Sequence, residues 1–441
     1  MTEATNTTTQ STGASPAGRV HIIGAGLAGL AAALRLSAAG VPVSLHEGAG
    51  HAGGRCRTYH DAALDRRIDN GNHLMLSGNW AVHALIRESG ADPNEVLEGP
   101  AEARFPFFDL RDGARWCLRP NNSRLPWWVL RQDRRVPGTG PTDYLSGLAF
   151  LRAKPGQTVA DLIPESHPLY KRFWEPVTIA VLNAHPKEAA AHLLTPVLLE
   201  TFGQGGLASC PRWAKTGLSD ALVDPCLAAL NRNGTEVRMN HRVRALERGS
   251  NSADIAALVF GDGERIVLAP EDRVILAVPA PVAASLLPDL GPPDAFRAIV
   301  NAHYRLDCPV PPGFEQPLGL IGGTAEWLFL REDVLSVTIS AADALATQDP
   351  AAIAQTVWED CCKALGLDPA TAMPAHRIVK EKRATFAQTP AQVTRRPKPG
   401  ASGAGNLILA GDWVDTALPA TIEGSIRSGF TAAKALENKV K

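Results

Sequence analysis

The chain lacks an excess of charge of either sign, a cysteine framework and a long apolar run. Its formal net charge is −1, so composition does not favour a nucleic-acid partner. Seven cysteines are scattered without a C-x-x-C pair, and the adjacent Cys361 and Cys362 have a poor geometry for a shared disulfide or a metal site. The longest apolar stretch, residues 274–287, is interrupted by Pro279 and Pro281 and falls short of the ~20 residues of a membrane span. These absences predict a protein of the reducing cytoplasm with no metal site and no membrane span.

The N-terminal segment lacks the features of a targeting signal. Residues 1–17 are rich in Thr, Ser and Ala, with no basic start and no apolar core. They predict a disordered tail and not a signal peptide. The chain has 441 residues, 45% of them apolar, which is enough for two or three domains with substantial cores.

The most informative segment lies near the N-terminus. A short apolar run at 20–23 leads into Gly24, Gly26 and Gly29, spaced G-x-G-x-x-G, and a helical pattern follows over 27–39. A second apolar strand, 41–45, is followed by the acid Glu47. This is the pattern of a βαβ unit in which the glycines admit a pyrophosphate at the helix N-terminus and the acid accepts from the ribose hydroxyls. The predicted dinucleotide contacts are Gly24, Ala25, Gly26, Leu27, Ala28, Gly29 and Glu47.

The C-terminal end of the chain repeats this logic. An apolar strand over 406–410 stops at Gly411 and Asp412, and a helix start follows at Thr421 and Ile422. Asp412 is a candidate acceptor for sugar-alcohol hydroxyls, and the helix N-terminus is a candidate site for a developing anion. The alternative is an ordinary C-terminal strand and helix with a capping Asp.

The combination of these motifs resembles the flavin amine oxidase and carotenoid desaturase superfamily. The resemblance rests on the glycine fingerprint with Glu47, on Gly53-Gly54-Arg55, on Ala410-Gly411-Asp412 and on Glu423-Gly424. It implies an FAD cofactor, with Arg55 as a charge clamp near the pyrophosphate. It also implies that residues 236–245 complete the FAD domain and place Val243 near the adenine.

Three further segments are similar to narrower groups of that superfamily. Residues 68–79, with Asn70, Gly71, Asn72 and His73, resemble the flavin-facing loop of plant-type desaturases. Residues 173–186 and 322–329 resemble the squalene-associated FAD-dependent desaturases, the hydroxysqualene dehydroxylases of hopanoid biosynthesis. This resemblance implies reduction of a hydrophobic C30 isoprenoid, hydroxysqualene, to squalene by hydride from reduced FAD. It also implies upstream enzymes that form hydroxysqualene.

The strand and helix signals predict an α/β fold class. We expect a Rossmann-like FAD-binding domain with a parallel sheet and helices, built from 18–100, 205–290 and 401–441. We expect an α+β substrate domain with an antiparallel or mixed sheet and helices, built from 101–204 and 291–400. Within it, 100–145 reads as irregular and partly exposed. Helical patterns are predicted over 144–153, 158–162, 168–183 and 186–202, the last two buried or lining an apolar cavity.

The implied chemistry needs a proton donor for the leaving hydroxyl. His73 is one hypothesis, because its loop matches the flavin-facing loop and imidazole titrates near neutral pH. Glu175, in an otherwise apolar helix, is a second, because burial raises the pKa of a carboxyl. The structural alternatives are a His that bonds backbone, and a Glu that pairs with Arg172 or another base.

Trp127 and Trp128 lie beside Arg131, Arg134 and Arg135. They are a candidate interfacial anchor on the inner face of an anionic membrane, from which a C30 hydrocarbon has to enter. Local packing with a solvated basic rim is the alternative.

Other functions remain open for this scaffold. A carotenoid or phytoene-type desaturase shares the apolar tunnel but oxidises its substrate. A flavin amine oxidase usually has an aromatic cage, whereas this chain has only four tyrosines and no convincing pair near Gly411. A non-catalytic prenyl-binding protein of the same fold is disfavoured by the complete set of FAD motifs.

Overall fold

The computed structural model describes residues 18–249, 253–307 and 309–440, with side chains to residue 436. The predicted disordered tail, 1–17, lies outside the described residues. The strands, in chain order, are β1 (Val20–Ile23), β2 (Val43–His46), β3 (Thr58–Asp61), β4 (Arg66–Asp69), β5 (Met75–Leu76), β6 (Leu97–Glu98), β7 (Phe105–Asp109), β8 (Arg115–Leu118), β9 (Pro211–Ala214), β10 (Glu236–Arg238), β11 (Val243–Arg248), β12 (Ile255–Phe260), β13 (Arg265–Val267), β14 (Arg273–Leu276), β15 (Phe296–Arg305), β16 (Leu318–Ile321), β17 (Trp327–Arg331), β18 (Val334–Ile339), β19 (His376–Phe386) and β20 (Leu407–Leu409).

The α-helices are α1 (Leu27–Ala38), α2 (Trp80–Glu88), α3 (Pro93–Val96), α4 (Val159–Leu162), α5 (Glu175–Leu182), α6 (Leu194–Glu200), α7 (Gly206–Ser209), α8 (Asp224–Arg232), α9 (Ala280–Leu286), α10 (Pro350–Leu365), α11 (Pro390–Val393) and α12 (Ile422–Val440). Among the described residues, no helix combines the length and the apolar character that crossing a membrane requires.

A parallel sheet forms the cofactor half of the molecule. Its order is β10-β2-β1-β14-β20, and every pairing between its strands is parallel. The central strands β1 and β2 are buried along their whole length because both faces of the sheet are covered. Helices α1, α8 and α12 pack on one face, and the antiparallel layer β11-β12-β13 packs on the other. The predicted α/β class with a parallel sheet is confirmed, while the domain boundaries remain predictions.

A mixed seven-stranded sheet, β19-β15-β18-β17-β16-β7-β8, forms the second half. Helix α10 covers one face with a core that includes Val300 and Val337. Because neighbours in register share a face, Asn301, Thr338 and Trp327 project together from the other face. This second face, called the site face below, meets residues 70–73, which are called the flavin-facing loop after the resemblance stated above.

The expectation that 100–145 is irregular is wrong for its first part. Strands β7 and β8 pair with each other, and β7 also pairs in parallel with β16. All five residues of β7 are buried, and Trp116 stacks on Phe107 with ring centroids 5.5 Å apart. The prolines and arginines of this segment made the strand pattern hard to recognise in the sequence. The strands are buried because β7 pairs with a strand some 200 residues away.

Two of the predicted helices also differ from the structure. Residues Pro141–Arg152 form a 3₁₀-helix, in which residues three apart lie in line. The predicted helix 186–202 exists only as a 3₁₀ turn, Ala191–Leu193, followed by α6. Its first part is not helical because the N–H groups of Ala190 and Ala191 donate to Gln388 and Gln157. By contrast, 168–183 is helical over Tyr170–Trp174 and α5, and packs into the apolar core of the second half, as predicted.

Candidate active site

The turn between β1 and α1 has the shape that a pyrophosphate needs. Gly24 has a φ of 104°, and a Cβ on Gly29 would lie 1.9 Å from the carbonyl oxygen of Gly24. At Gly26, in contrast, a Cβ would have no heavy atom within 4 Å. Gly26 is the N-cap of α1, and no side chain caps that helix. Open space and uncapped helical N–H groups therefore coincide at the position predicted for the phosphates.

Glu47 lies at the carboxyl end of β2, beside this turn. Its carboxylate accepts hydrogen bonds from the N–H groups of Ala25 and Ala49, both at 2.8 Å. Its own backbone pairs with Arg238 and His241, so the chain leading to Val243 runs alongside it. A carboxylate has about four acceptor sites, so acceptor positions remain for ribose hydroxyls. Of the segment 236–245 that was expected to complete the cofactor half, residues 236–238 form β10 and pair with β2.

Arg55 joins the two ends of the chain. The Gly53 and Gly54 turn packs on the fingerprint, with the N–H of Gly53 donating to Ala25 at 2.8 Å. From there the Arg55 guanidinium pairs with Asp412 at 2.7 Å and donates to the Ala384 carbonyl at 2.5 Å. The Asp412 carboxylate raises the pKa of Arg55 further above its already high value. A fixed positive charge is therefore held beside the glycine turn.

The C-terminal motif, residues 411–424, makes contacts beyond those of a capped helix. Gly411 has a φ of 139°, and its N–H donates to the Ser428 hydroxyl at 2.8 Å. The hydroxyl of Thr421 accepts from the N–H of Gly424 at 3.1 Å at the start of α12. Asp412 is committed to Arg55 and does not cap α12, so the alternative of a capping Asp does not hold.

Glu423 has a structural role that the motif alone does not reveal. Its buried carboxylate accepts from the N–H groups of Ala81 and Val82, at 3.1 and 3.0 Å, in the first turn of α2. It also accepts from Arg427 at 2.7 Å. A residue of α12 thus caps a second helix.

Replacing Glu423 by alanine should lower the free energy of unfolding by about 2 kcal/mol, because two buried N–H groups and one guanidinium lose their acceptor. FAD affinity should change by less than about threefold, which corresponds to about 0.7 kcal/mol. Urea unfolding and flavin titration measure the two quantities. The control is Glu88→Ala, which removes an exposed pair with Arg35 and should cost less than about 1 kcal/mol. Equal costs for both variants would contradict the capping role.

The flavin-facing loop, Asn70 to His73, is tied to the site face. Asn72 donates to the Thr338 hydroxyl at 3.3 Å, and that hydroxyl donates to the Asn301 amide oxygen at 2.9 Å. Asn301 donates back to the carbonyl of Asn70 at 3.3 Å. The loop therefore joins the cofactor half to the substrate half.

The two predicted proton donors have different surroundings. His73 is half-buried; burial lowers its pKa to about 4, with Asp69 opposing and Arg55 adding to the shift. Such an imidazole is neutral at pH 7 and holds no extra proton to give. Glu175 is not buried as expected: its side chain is 27% exposed and pairs with Lys171 at 3.2 Å. Glu175 therefore pairs with another base, as the structural alternative held, and Arg172 pairs with Asp109.

Glu326 is a titratable group that the sequence hypotheses did not select. Its carboxylate oxygen accepts from the Ser340 N–H at 2.7 Å. Burial raises the pKa of Glu326 to about 8, against the lowering effect of the Ser340 hydrogen bonds. The available signal was a single acid in an otherwise apolar stretch before β17.

Known proteins match this chain along nearly its whole length. Residues 27–436 match the family model described as flavin containing amine oxidoreductase. The chain is 46% identical over 414 residues to hydroxysqualene dehydroxylase of Sinorhizobium fredii, and the match covers 94% of this chain and 97% of that protein. Hydroxysqualene dehydroxylase of Rhodopseudomonas palustris also matches with 46% identity, over 94% of this chain and 97% of its own. The chain belongs to the hydroxysqualene dehydroxylase family.

A solved oxidoreductase from Methanosarcina mazei has the same fold, with a TM-score of 0.69 at 14% identity over 94% of this chain and 100% of that one. The open glycine turn, the Arg55–Asp412 pair and Glu47 at the end of β2 agree with this family and with the flavin family model. The cofactor is FAD, and the chain is an FAD-dependent oxidoreductase.

Proposed function

We propose that this protein reduces hydroxysqualene to squalene by removing its allylic hydroxyl. The observation that carries the proposal is the 46% identity to a hydroxysqualene dehydroxylase over 94% of the chain. That match spans the substrate half as well as the cofactor half. A desaturase or amine oxidase that shared only the cofactor motifs would not need to match this chain in the substrate half.

The substrate half supplies surroundings suited to this chemistry. Hydroxide leaves poorly, and the allylic cation it leaves behind survives only where water is excluded. Near the site face, Phe107, Ile321 and Trp327 join the apolar residues of Tyr170–Trp174 and α5 in one cluster. When bound and reduced, FAD supplies the hydride that completes the reduction. The chain's own task is to position the allylic alcohol, exclude water and deliver a proton to the departing oxygen.

The residues proposed to hold FAD follow from the site geometry. In this proposal the glycine turn and the first turn of α1 would face the phosphates, Glu47 would face a ribose, and Arg55 and the flavin-facing loop would surround the flavin ring. The proposed contacts are Gly24, Ala25, Gly26, Leu27, Ala28, Gly29, Glu47, Gly53, Gly54, Arg55, Asn70, Gly71, Asn72, His73, Val243, Gly411, Asp412, Thr421 and Ile422. His73 enters this set as a neutral hydrogen-bonding group.

A panel of substrates tests the proposed activity. The purified holoprotein is incubated with hydroxysqualene under reducing conditions, and separately with phytoene and with a polyamine under oxidising conditions. The expected result is squalene from the first and no product from the others. Desaturated phytoene or an oxidised amine, without squalene, would overturn the proposal.

We also propose that the protein, placed in the cytoplasm, binds the inner face of the membrane. The supporting surface, called the apolar patch, is formed by two adjacent 3₁₀ segments, Trp127–Leu130 and Pro141–Arg152. Its large apolar side chains are 55–61% exposed: Leu125, Trp127, Leu130, Leu145, Leu148 and Leu151. The last three are spaced by three residues, so the 3₁₀-helix sets them in one row.

Charge around the apolar patch favours an anionic lipid surface. Arg124, Arg131, Arg152 and Lys154 are exposed at its edge, where Lys and Arg attract anionic headgroups. Trp128 does not belong to this surface, because it is half-buried and packs edge-on against Tyr144 with ring centroids 5.0 Å apart. The two tryptophans proposed from sequence therefore have different roles.

The double variant Leu145→Gln with Leu148→Gln should reduce binding to vesicles of mixed anionic and zwitterionic phospholipid about tenfold or more, since each buried leucine contributes about 1.5–3 kcal/mol. Sedimentation of the vesicles measures the bound fraction. Wild-type binding should weaken as salt is raised. The control, Val267→Gln, changes an exposed apolar residue of β13 that lies outside the apolar patch and should bind as wild type. Equal binding by all three proteins would contradict the proposal.

A further inference from the structure

We propose that Glu326 is the proton donor to the leaving hydroxyl of the allylic alcohol. The inference rests on the proposed function and assigns the acid that this function needs. It replaces the hypotheses of His73 and Glu175.

The position of Glu326 is fixed from two sides. It directly precedes β17, whose first residue, Trp327, pairs with Thr338 across the sheet. Its carboxylate is held by the N–H of Ser340, two residues and therefore roughly 7 Å along the chain from Thr338. Thr338 is the residue that receives Asn72 of the flavin-facing loop. The carboxyl is thus bonded two residues beyond the residue of β18 that meets the loop.

Two residues with strained backbone meet directly after Ser340. Ala341 and Asn183 both have left-handed backbone, with φ of 47° and 49°. The N–H of Ala341 donates to the Asn183 amide oxygen at 2.6 Å, and Asn183 donates to the Thr385 hydroxyl at 3.0 Å. Thr385 follows Ala384, whose carbonyl accepts from Arg55. Non-glycine residues in this conformation persist only where surrounding contacts enforce it, which is common at functional sites.

Charged groups in the surrounding elements have partners of their own. Asp360 of α10 accepts from the N–H groups of Thr324 and Ala325. Arg297 of β15 pairs with Glu188 and Asp343. On α5, Glu175 pairs with Lys171; on β19, Glu381 accepts from Asn70 at 3.4 Å.

His73 in the flavin-facing loop is neutral at pH 7, as its lowered pKa requires. The protonation of Glu326 is governed by its burial and by its bonds to Ser340. It therefore carries its proton at pH 7, without an ion-pair partner among the described residues.

The proposed step transfers one proton from Glu326 to the oxygen of the alcohol. The C–O bond breaks with both electrons on oxygen, and the Glu326 proton bonds to that oxygen, so water leaves. The allylic carbon then takes the hydride that the proposed function already supplies. Glu326 is left as a carboxylate and regains a proton before the next turnover.

Single-turnover rates with pre-reduced holoenzyme and hydroxysqualene test the role. Glu326→Gln keeps an acceptor for the Ser340 N–H but has no acidic proton, so the rate should fall by about 100-fold or more. The wild-type rate should fall as pH rises through about 8, because only the protonated form acts. The residual rate of the variant should lose this dependence. Glu332→Gln, which changes an exposed acid on the same hairpin, should retain this dependence.

Infrared difference spectra of the holoenzyme give a readout that does not depend on activity. The wild type minus Glu326→Gln spectrum at pH 7 should show the C=O stretch of a protonated carboxyl, which disappears at pH 10. An ionised Glu326 at pH 7 would overturn the inference, as would squalene formation by Glu326→Gln at the wild-type rate and pH profile. Failure of the wild type to form squalene would overturn the proposed function and, with it, the role of Glu326.

Discussion

Replacing Gly26 by alanine should abolish FAD binding while the apoprotein keeps its free energy of unfolding within about 0.5 kcal/mol. Gly26 has an extended backbone, φ −71° and ψ 176°, which alanine adopts freely. An added Cβ meets no protein atom within 4 Å, so it enters only the space proposed for the pyrophosphate. The substitution should therefore remove FAD binding and leave the free energy of unfolding of the apoprotein nearly unchanged.

Gly29→Ala is the matched control, with the opposite pattern. Its Cβ would lie 1.9 Å from the Gly24 carbonyl oxygen, so the backbone has to move, and the apoprotein should lose about 3 kcal/mol of stability. Flavin absorbance after gel filtration and urea unfolding of both apoproteins make the measurement. A yellow Gly26→Ala protein with wild-type FAD content would show that the phosphates lie elsewhere.

Replacing Arg55 by methionine should both release FAD and destabilise the protein by about 2–3 kcal/mol. The Asp412 side chain is 9% exposed and would keep a carboxylate without its cation. The Ala384 carbonyl would also lose its donor. Because Arg55 itself is 38% exposed, the loss should stay below the cost of breaking a fully buried pair.

A double-mutant cycle separates the pair from its surroundings. Arg55→Met combined with Asp412→Asn should be less destabilised than the two single changes added together, since the uncompensated charge is gone. Urea unfolding of the four apoproteins gives the coupling energy. Strict additivity would mean that the two side chains do not interact, contrary to their 2.7 Å separation.

The βαβ unit and its glycine turn were predictable because their signals are local. Gly24, Gly26, Gly29 and Glu47 fall within one βαβ unit, so their spacing alone fixes their positions. Arg55 was placed by a motif, but its partner, Asp412, lies 357 residues away and only the structure joins them. The motif did not predict the role of Glu423, because its carboxylate accepts hydrogen bonds from α2, up to 342 residues away along the chain.

The substrate half was less predictable because its residues depend on distant partners. Strand β7 looks irregular in sequence, and β16 makes it a strand. Glu175 lies in an otherwise apolar helix, which suggested burial, yet its side chain pairs with Lys171. Glu326 became informative only once Ser340 and the flavin-facing loop were seen beside it. Residues 144–153 were predicted to be helical, and the spacing by three of Leu145, Leu148 and Leu151 fits the 3₁₀ form that the structure has.

The most direct test of the proposed activity is an anaerobic single turnover of the pre-reduced holoenzyme with hydroxysqualene. Flavin absorbance and extracted products are followed together. We expect one squalene for each flavin that becomes oxidised, with no oxidation when the alcohol is omitted. Flavin that stays reduced, with hydroxysqualene recovered intact, would contradict the account.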